Sequence, residues 1–409
     1  MKIDQFRKHF PILGDSVPGG KLVYLDNAAT SQRPEAVVQA YSRSALHENA
    51  NLHRAVHHLS NVATDQYEKA RDCVKDYINA ASREEIIFTS GATAAINTIA
   101  FSFGEAFIVP GYEIIVSEAE HHSNIVPWQM MASRKGAIIK VLPVDENGKL
   151  RIDLLPGLIG PATKLLAVAH ISNVLGLVNP IAEIIRIAHA KGVMVLVDGA
   201  QGIVHKNVDV QALDCDFYVF SGHKMFAAPF TGVLYGKKSL LDAMPPMLGG
   251  GEMIETVSLS KGTTYAPLPA KFEAGTQNIS GVPTFIPAIE TLRTALEDKE
   301  LLEYSKAVAE YVGSELAKDP RIHVYGSSND PDEKVSLFSF TVQGAHHEDL
   351  ALILDKMGIA VRSGQMCAEP LMAWFGVTGM LRASFAPYNT MEEAELFIKS
   401  LSRAIGMLV

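Results

Sequence analysis

The chain has 409 residues, of which 48% are hydrophobic and 20% charged, and its formal net charge is −9. These values are typical of a globular protein with a large core and exclude a disordered or fibrous one. The acidic balance predicts no nucleic-acid partner. Because cores beyond about 300 residues usually divide, we expect two domains.

The sequence contains no apolar stretch of the roughly 20 residues that span a bilayer. Its first residues, MKIDQFRKHFPIL, form a charged amphipathic segment unlike a signal peptide. We therefore expect a cytoplasmic protein without membrane contact. The three cysteines, Cys73, Cys215 and Cys367, are widely separated, so the sequence predicts neither a disulfide framework nor a metal site.

Short apolar runs alternate with amphipathic stretches of helical length from about Leu22 to Tyr235, a pattern typical of βαβ units around a largely parallel sheet. The predicted strands are 85–88, 113–116, 165–169, 193–197 and 217–220. We predict a large α/β domain over residues 22–290. A small α+β domain is predicted from residues 1–21 and 291–409, ending in a helix that a capping box of Thr390 and Glu393 begins.

Polar residues follow each predicted strand at once. Since ligands of open α/β sheets bind outside the carboxyl ends of the strands, these residues should converge on one crevice. They are residues 89–93, 120–122, 170–173, 198–201 and 221–224. Together they offer an anion cradle, a carboxylate, amides, imidazoles and an amine, which suits an anionic cofactor with ionisable ring atoms.

Three of these positions would bind the cofactor, and each could instead have a purely structural role. The turn from Ser90 to Thr93 suits a phosphate at a helix N-terminus, or is only a capped strand-to-helix turn. Asp198 ends an apolar run and would face a cation, such as a protonated pyridine nitrogen, or would cap the next helix. Lys224 follows a buried strand, where a lowered pKa favours Schiff-base chemistry; the alternative is a surface lysine.

Several segments resemble those of pyridoxal-phosphate-dependent cysteine desulfurases of the SUF type, in the class-V aminotransferase family. The matching segments are VLVDGAQ, DFYVFSGHK, FEAGTQN and RSGQMCAEP, and the match extends from YLDNAAT through NLHRAVHHLS and EHHSNIVPWQ to RASFAPYNT. The resemblance implies fold type I, as in aspartate aminotransferase. That fold has a mostly parallel seven-stranded sheet, a small domain that carries the catalytic cysteine loop, and a homodimeric state.

The resemblance also implies residue roles, with pyridoxal 5'-phosphate as the cofactor. Catalysis would fall to three residues: Lys224, which binds the cofactor covalently, His121, which stacks on it, and Cys367, which accepts sulfur. Further cofactor contacts would come from Asp198, Gln201, Asn173, Ala92, Thr93, Ser221, His223 and, from the partner subunit, Thr276. Substrate contacts would come from Arg382, which binds the carboxylate, and from Asn173, Ala28, Ala29, Arg362, His53 and Arg54.

The implied activity converts L-cysteine to L-alanine and leaves a persulfide on Cys367, from which an acceptor protein collects sulfur for iron-sulfur cluster assembly. A selenocysteine lyase acting on L-selenocysteine, another class-V enzyme, and a non-catalytic sulfur-carrier scaffold remain alternatives. For Cys367 the plain alternative is a buried structural thiol. Its loop is punctuated by glycine and proline, however, and Arg362 nearby would favour a thiolate.

The sequence departs from the family pattern at three places. Gln365 and Met366 replace the usual pair of histidines before the cysteine. The loop after Lys224, residues 227–232, is one residue longer, and the phosphate turn continues with Ala94 and Ala95 instead of Glu and Gly. We expect the changed lysine loop and phosphate turn to alter cofactor binding and subunit communication, and the missing histidines beside Cys367 to alter turnover and acceptor choice.

Overall fold

The computed structural model describes residues 1–53, 56–328 and 330–409. The strands in these ranges are β1 (Ser16–Val17), β2 (Gly20–Lys21), β3 (Val23–Tyr24), β4 (Ile86–Thr89), β5 (Glu113–Ser117), β6 (Ile138–Leu142), β7 (Thr163–Ala169), β8 (Met194–Asp198), β9 (Phe217–Ser221), β10 (Gly232–Gly236), β11 (Ile254–Ser258), β12 (Gly262–Tyr265), β13 (Ile322–Tyr325), β14 (Leu337–Val342), β15 (Ile359–Ala360), β16 (Arg362–Gly364) and β17 (Met380–Ser384).

The α-helices follow the same chain order. They are α1 (Ile3–Arg7), α2 (Glu35–His47), α3 (His58–Tyr77), α4 (Ala92–Phe107), α5 (Val126–Lys135), α6 (Leu155–Leu158), α7 (Ile181–His189), α8 (Gly202–His205), α9 (Val210–Leu213), α10 (Lys238–Ala243), α11 (Phe285–Glu297), α12 (Lys299–Leu316), α13 (His347–Asp355), α14 (Glu369–Trp374) and α15 (Met391–Leu408).

A seven-stranded sheet forms the centre of the protein, in the order β4-β10-β9-β8-β7-β5-β6. The strands from β9 to β6 run parallel, whereas β10 is antiparallel to both of its neighbours. The middle strands are almost wholly buried, as expected when helices cover both faces. The predicted α/β fold with a mostly parallel seven-stranded sheet is confirmed.

All five predicted strands are present, and their ends differ from the predicted ones by at most two residues. The strands β6 and β10 were not among the five. The edge strand β6 exposes Ile138 and Val141, so it lacks a continuous buried run. The strand β10 begins at Gly232 and ends at Gly236, and these glycines weaken its strand signal.

The C-terminal part contains an antiparallel sheet in the order β13-β14-β17-β16, and α15 begins with the predicted capping box of Thr390 and Glu393. Val23 and Leu25 pack into the hydrophobic cluster of this part, and β3 pairs in parallel with β15. The chain from residue 23 thus contacts the C-terminal part before it enters the central sheet. The exact domain boundaries remain a prediction.

The cysteines other than Cys367, namely Cys73 and Cys215, pack in or against the main hydrophobic cluster. Cys215 is fully buried two residues before β9, and Cys73 is half-buried on α3.

Across the described ranges, no helix combines the length and apolar character that crossing a membrane requires.

Candidate active site

A cavity of about 180 Å³ lies at the carboxyl edge of the central sheet. Most of its wall comes from residues that follow strands or begin helices, so the predicted convergence on one crevice is confirmed. Thirteen predicted site residues line it: Ala28, Ala29, Ala92, Thr93, His121, Asn173, Asp198, Gln201, Ser221, His223, Lys224, Arg362 and Arg382. No group of three or more His, Cys, Asp or Glu side chains suited to a metal is found in the described part of the chain.

Lys224 ends a short 3-10 turn, Gly222–Lys224, that directly follows β9. Its side chain reaches the cavity, yet protein atoms surround the amine densely enough that burial lowers its pKa to about 8. Asp198 opposes this shift, and the guanidinium groups of Arg382 and Arg362 add to it. An amine with this pKa is partly neutral near physiological pH and therefore available as a nucleophile or base.

Asp198 is the last residue of β8, and its side chain is only 5% exposed. Its Oδ1 accepts a hydrogen bond from the backbone amide of Ala200 at 2.9 Å, and the described residues provide no other hydrogen-bond partner. Burial raises the pKa of this carboxyl, while the amide of Ala200 and the charge of Lys224 act against the rise. A cationic ligand group would stabilise the ionised carboxylate.

The start of α4 forms a close-packed anion cradle with the end of β9. The backbone amide of Ala92 donates to Ser221 Oγ at 2.8 Å, so this serine is fixed at the first turn of the helix. Gly91 has a φ of +146°, and a Cβ at Gly232 would lie 2.4 Å from the Gly91 Cα. Glycine at both positions lets the backbone approach closely, which suits a phosphate at a helix N-terminus.

His121 follows Glu120 in the chain, and its ring contacts Ser123. Its Nδ1 accepts a hydrogen bond from the backbone amide of Ser123 at 3.0 Å and contacts Ser123 Oγ at 2.7 Å. Burial lowers its pKa to about 4, so the ring is neutral at physiological pH. Because Nδ1 accepts a backbone N–H, the proton of the neutral ring lies on Nε2.

The residue before His121 supports this turn from the interior. The carboxylate of Glu120 is fully buried and receives hydrogen bonds from Ser117 Oγ, from Asn124 Nδ2 at 2.7 Å and from the Ala169 amide at 2.9 Å. Burial raises its pKa to about 7 in spite of these donors. The network ties the ends of β5 and β7 to the segment that carries His121.

Arg382 lies on β17, directly opposite Arg362 of β16, and is 2% exposed. One Nη atom donates to the backbone oxygen of Asn173 at 2.7 Å and the other to Asp26 Oδ1 at 2.9 Å. Its buried Nε has no hydrogen-bond partner among the residues that the structure describes. Since a buried unpaired donor is costly, an anionic ligand group is the natural acceptor for it.

Cys367 is half-buried on a tight turn beside the cavity, although its own side chain is not part of the wall. Met366 and Cys367 both have a φ of +54°, a left-handed conformation that is rare outside glycine. The Met366 side chain is 3% exposed and packs into the main hydrophobic cluster. The methionine that replaces a family histidine thus anchors the loop in the core.

Two predicted contact residues, Thr276 and His53, do not line the cavity. Thr276 is exposed, and the prediction that it reaches a partner's site is untested. His53 packs edge-on against Tyr67 at 6.3 Å, and its Nε2 lies 3.7 Å from Glu68 Oε1; its substrate contact stays a prediction. Arg54 lies outside the described residues.

The sequence reasoning missed Asp26, Ser123 and Met366 as parts of the site. Asp26 binds Arg382, Ser123 binds His121, and Met366 lines the cavity. Each stands inside or beside a quoted motif, namely YLDNAAT, EHHSNIVPWQ and RSGQMCAEP. A reading of whole motifs, with attention to which residues could serve as partners of the charged groups, would have indicated them.

Comparison with known proteins gives full-length matches. The family model described as aminotransferase class-V matches residues 23–397. A cysteine desulfurase of Pectobacterium carotovorum is 47% identical over 406 residues, covering 99% of this chain and 98% of that protein. One of Serratia proteamaculans is 46% identical, with 99% of both chains covered.

Solved structures agree with this result. The crystal structure of the Escherichia coli cysteine desulfurase CsdA, in an S-sulfonic acid form, is similar with a TM-score of 0.90 and 43% identity over 100% of both chains. The apo structure of a cysteine desulfurase from Thermococcus onnurineus has a TM-score of 0.93 at 36% identity, covering 100% of this chain and 99% of that one. The chain therefore belongs to the class-V aminotransferase family, in which it is a full-length homologue of cysteine desulfurases.

Proposed function

We propose that this protein is a cysteine desulfurase that converts L-cysteine to L-alanine and receives the sulfur on Cys367, with pyridoxal 5'-phosphate as its cofactor. One observation carries the proposal. A single cavity contains an amine of lowered pKa, a buried carboxylate and a buried arginine whose Nε is unpaired among the described residues, and Met366 of the Cys367 loop lines the same cavity. The desulfurase homologues supply the choice of substrate.

The residues present fit this cofactor. Among the described residues the buried carboxylate of Asp198 forms no hydrogen bond or ion pair with a cation, and a protonated pyridine nitrogen would provide one. The cradle formed by Gly91, Ala92 and Ser221 suits the phosphate, and Thr93 and His223 line the cavity beside it. Lys224 would hold the cofactor covalently. Bound there, the cofactor would supply an electron sink for negative charge that develops at the substrate's Cα.

Arg382 would bind the substrate carboxylate. Two of its nitrogens are already held by the Asn173 backbone oxygen and by Asp26, so the guanidinium cannot rotate freely and its Nε remains for the ligand. Burial lowers the pKa of this guanidinium, and the carboxylate of Asp26 opposes that effect. A fixed guanidinium loses little entropy on binding, which favours one orientation of the amino acid.

Lys224 is a better candidate than His121 for moving the α-proton of the substrate. A neutral His121 carries its proton on Nε2, and its Nδ1 is occupied by the Ser123 amide, so this ring has no free lone pair to act as a base. The Lys224 amine, with a pKa of about 8, can accept and return a proton near neutral pH. His121 would then act as a hydrogen-bond donor and as a packing surface for the cofactor.

The Cys367 thiolate would attack the sulfur of the substrate, break the Cβ–Sγ bond and leave a persulfide on the enzyme. The carbon fragment keeps the bonding electrons and, after it gains protons, leaves as alanine. We further propose that the sulfur passes to an acceptor protein for iron-sulfur cluster assembly, in the SUF-type branch. A homodimer in the cytoplasm is part of the same proposal, supported by the motif resemblance from YLDNAAT to RASFAPYNT.

The test is to incubate the purified protein with L-cysteine and a reductant, and to follow sulfide and alanine together. The wild type should release both in equal amounts. Cys367→Ala should lose sulfide release, because no thiolate remains to accept sulfur. Lys224→Ala should lose both products. A wild-type protein that binds the cofactor but forms no alanine would exclude cysteine as the substrate.

A further inference from the structure

The turn that carries Cys367 needs external support. Two consecutive residues with side chains, Met366 and Cys367, adopt left-handed backbone angles, which L-residues avoid. Such a conformation persists only where the surrounding structure holds it in place. The position of the thiol therefore depends on the contacts that this turn makes with the rest of the protein.

Three hydrogen bonds from the large sheet's end hold the turn. Asn173 Nδ2 donates to the Met366 backbone oxygen at 2.9 Å, and the His122 backbone amide donates to the Cys367 backbone oxygen at 2.7 Å. In the third bond the turn is the donor: the Glu369 backbone amide donates to His122 Nε2 at 3.0 Å. His122 thus grips the chain on both sides of Ala368, once through its backbone and once through its ring.

The ring contact satisfies a donor that the loop itself leaves unpaired. Glu369 is the first residue of α14, and the amides of a first helical turn have no partner within their helix. The preceding residue, Ala368, provides no side-chain cap. The imidazole of His122 takes that role from a different part of the chain, and it is not among the residues that line the cavity.

We propose that His122 is a positioning residue that holds the Cys367 turn in its left-handed conformation and thereby directs the thiol to the substrate sulfur. The predicted effect on catalysis rests on the proposed function. The two hydrogen bonds between His122 and the Cys367 turn do not depend on that function. Loss of the ring contact leaves the backbone bond from His122 in place. The turn should then open at its Glu369 side, so that Cys367 becomes more accessible and less well aimed.

The experiment compares two variants of His122 that differ in reach. His122→Gln places an amide oxygen close to the position of Nε2 and can still accept from the Glu369 amide, whereas the shorter side chain of His122→Asn cannot. Glu369→Pro removes the same donor from the opposite side, and proline is tolerated at the first position of a helix. His122→Asn removes the acceptor of this hydrogen bond and Glu369→Pro removes its donor. If one variant fails to fold, the other still tests the same bond.

Two rates are measured on the holoenzyme. The first is alkylation of Cys367 by iodoacetamide without substrate, followed by mass spectrometry, and the second is alanine formation with its kcat and KM. His122→Asn and Glu369→Pro should speed alkylation about 3- to 10-fold and lower kcat by a similar factor, the effect of one hydrogen bond, with KM unchanged. His122→Gln should restore both rates towards the wild type.

A loss of general stability would not move the two rates in opposite directions while the visible absorbance of the cofactor stays the same. Wild-type alkylation rates in both disrupting variants, or a His122→Gln protein as impaired as His122→Asn, would overturn the proposal. If the wild type forms no alanine, the proposed function fails, and the alkylation rates still decide whether His122 holds the turn.

Discussion

The lowered pKa of Lys224 predicts how capture of the cofactor should depend on pH. Only the neutral amine reacts with an aldehyde. With a pKa of about 8, roughly one tenth of the amine is neutral at pH 7 and about nine tenths at pH 9. The rate at which apoprotein binds pyridoxal 5'-phosphate covalently should therefore rise about tenfold between these two values and then level off.

The shape of the profile separates this expectation from that for an ordinary lysine. With an unshifted pKa of about 10.4, the rate would rise roughly 100-fold over the same two pH units and would still be rising about tenfold per unit at pH 9. Stopped-flow absorbance of the apoprotein mixed with cofactor gives the rate. Free Nα-acetyl-lysine serves as the matched control, because it titrates without burial and reports the cofactor's own titration.

Lys224→Ala should show no covalent capture at any pH, which assigns the signal to this residue. A wild-type profile parallel to that of Nα-acetyl-lysine through about pH 9 would refute the reasoning. It would mean that the amine is hydrated in the apoprotein, so that the surrounding residues do not bury it as the structure indicates.

Three further predictions concern other buried charges. Arg382→Lys should raise KM for cysteine by about 10- to 100-fold, because an ammonium cannot keep the bonds to Asn173 and Asp26 and still reach the carboxylate; steady-state kinetics would show this, and an unchanged KM would remove Arg382 from the site. Glu273→Gln should lower the free energy of unfolding by about 3 kcal/mol, measured by denaturant titration, because it replaces the buried carboxylate 2.7 Å from Arg71, which is 1% exposed, with a neutral amide and leaves the more exposed Glu68 at 3.1 Å as the remaining carboxylate; a change within error would show that water reaches this pair. Glu120 has a folded-state pKa of about 7 against an ordinary value of 4.5, so the folded state binds more protons between these values and the free energy of unfolding should fall as the pH rises through that window. Glu120→Gln should remove a fall on the order of 3 kcal/mol, and equal pH profiles of variant and wild type would contradict the assignment.

The sequence predicts best those site residues whose position depends only on the strand that they end or follow. Asp198, Ser221 and Lys224 each stand at or just after the end of a buried apolar run, and parallel strands bring their carboxyl ends to one edge of a sheet. Strand periodicity alone therefore places these groups together. The motifs then assign them a cofactor.

The supporting contacts were not predictable in this way. Asp26 binds Arg382 across 356 residues of chain, and His122 binds the Glu369 amide across 247 residues. No periodicity or spacing reports such pairs, because they depend on how two remote segments pack. The sequence shows a polar residue at each position but not the partner that it meets.

By itself, the sequence determined the α/β architecture, the order of its elements and the chemical groups that gather at the sheet edge, because these follow from local hydrophobic patterns and short motifs. Only the tertiary structure decided how those groups are tuned. The pKa of Lys224 near 8, the tautomer of His121, the unpaired Nε of Arg382 and the left-handed turn at Cys367 arise from burial and long-range hydrogen bonds. Burial and long-range contacts exist only once distant segments have packed together.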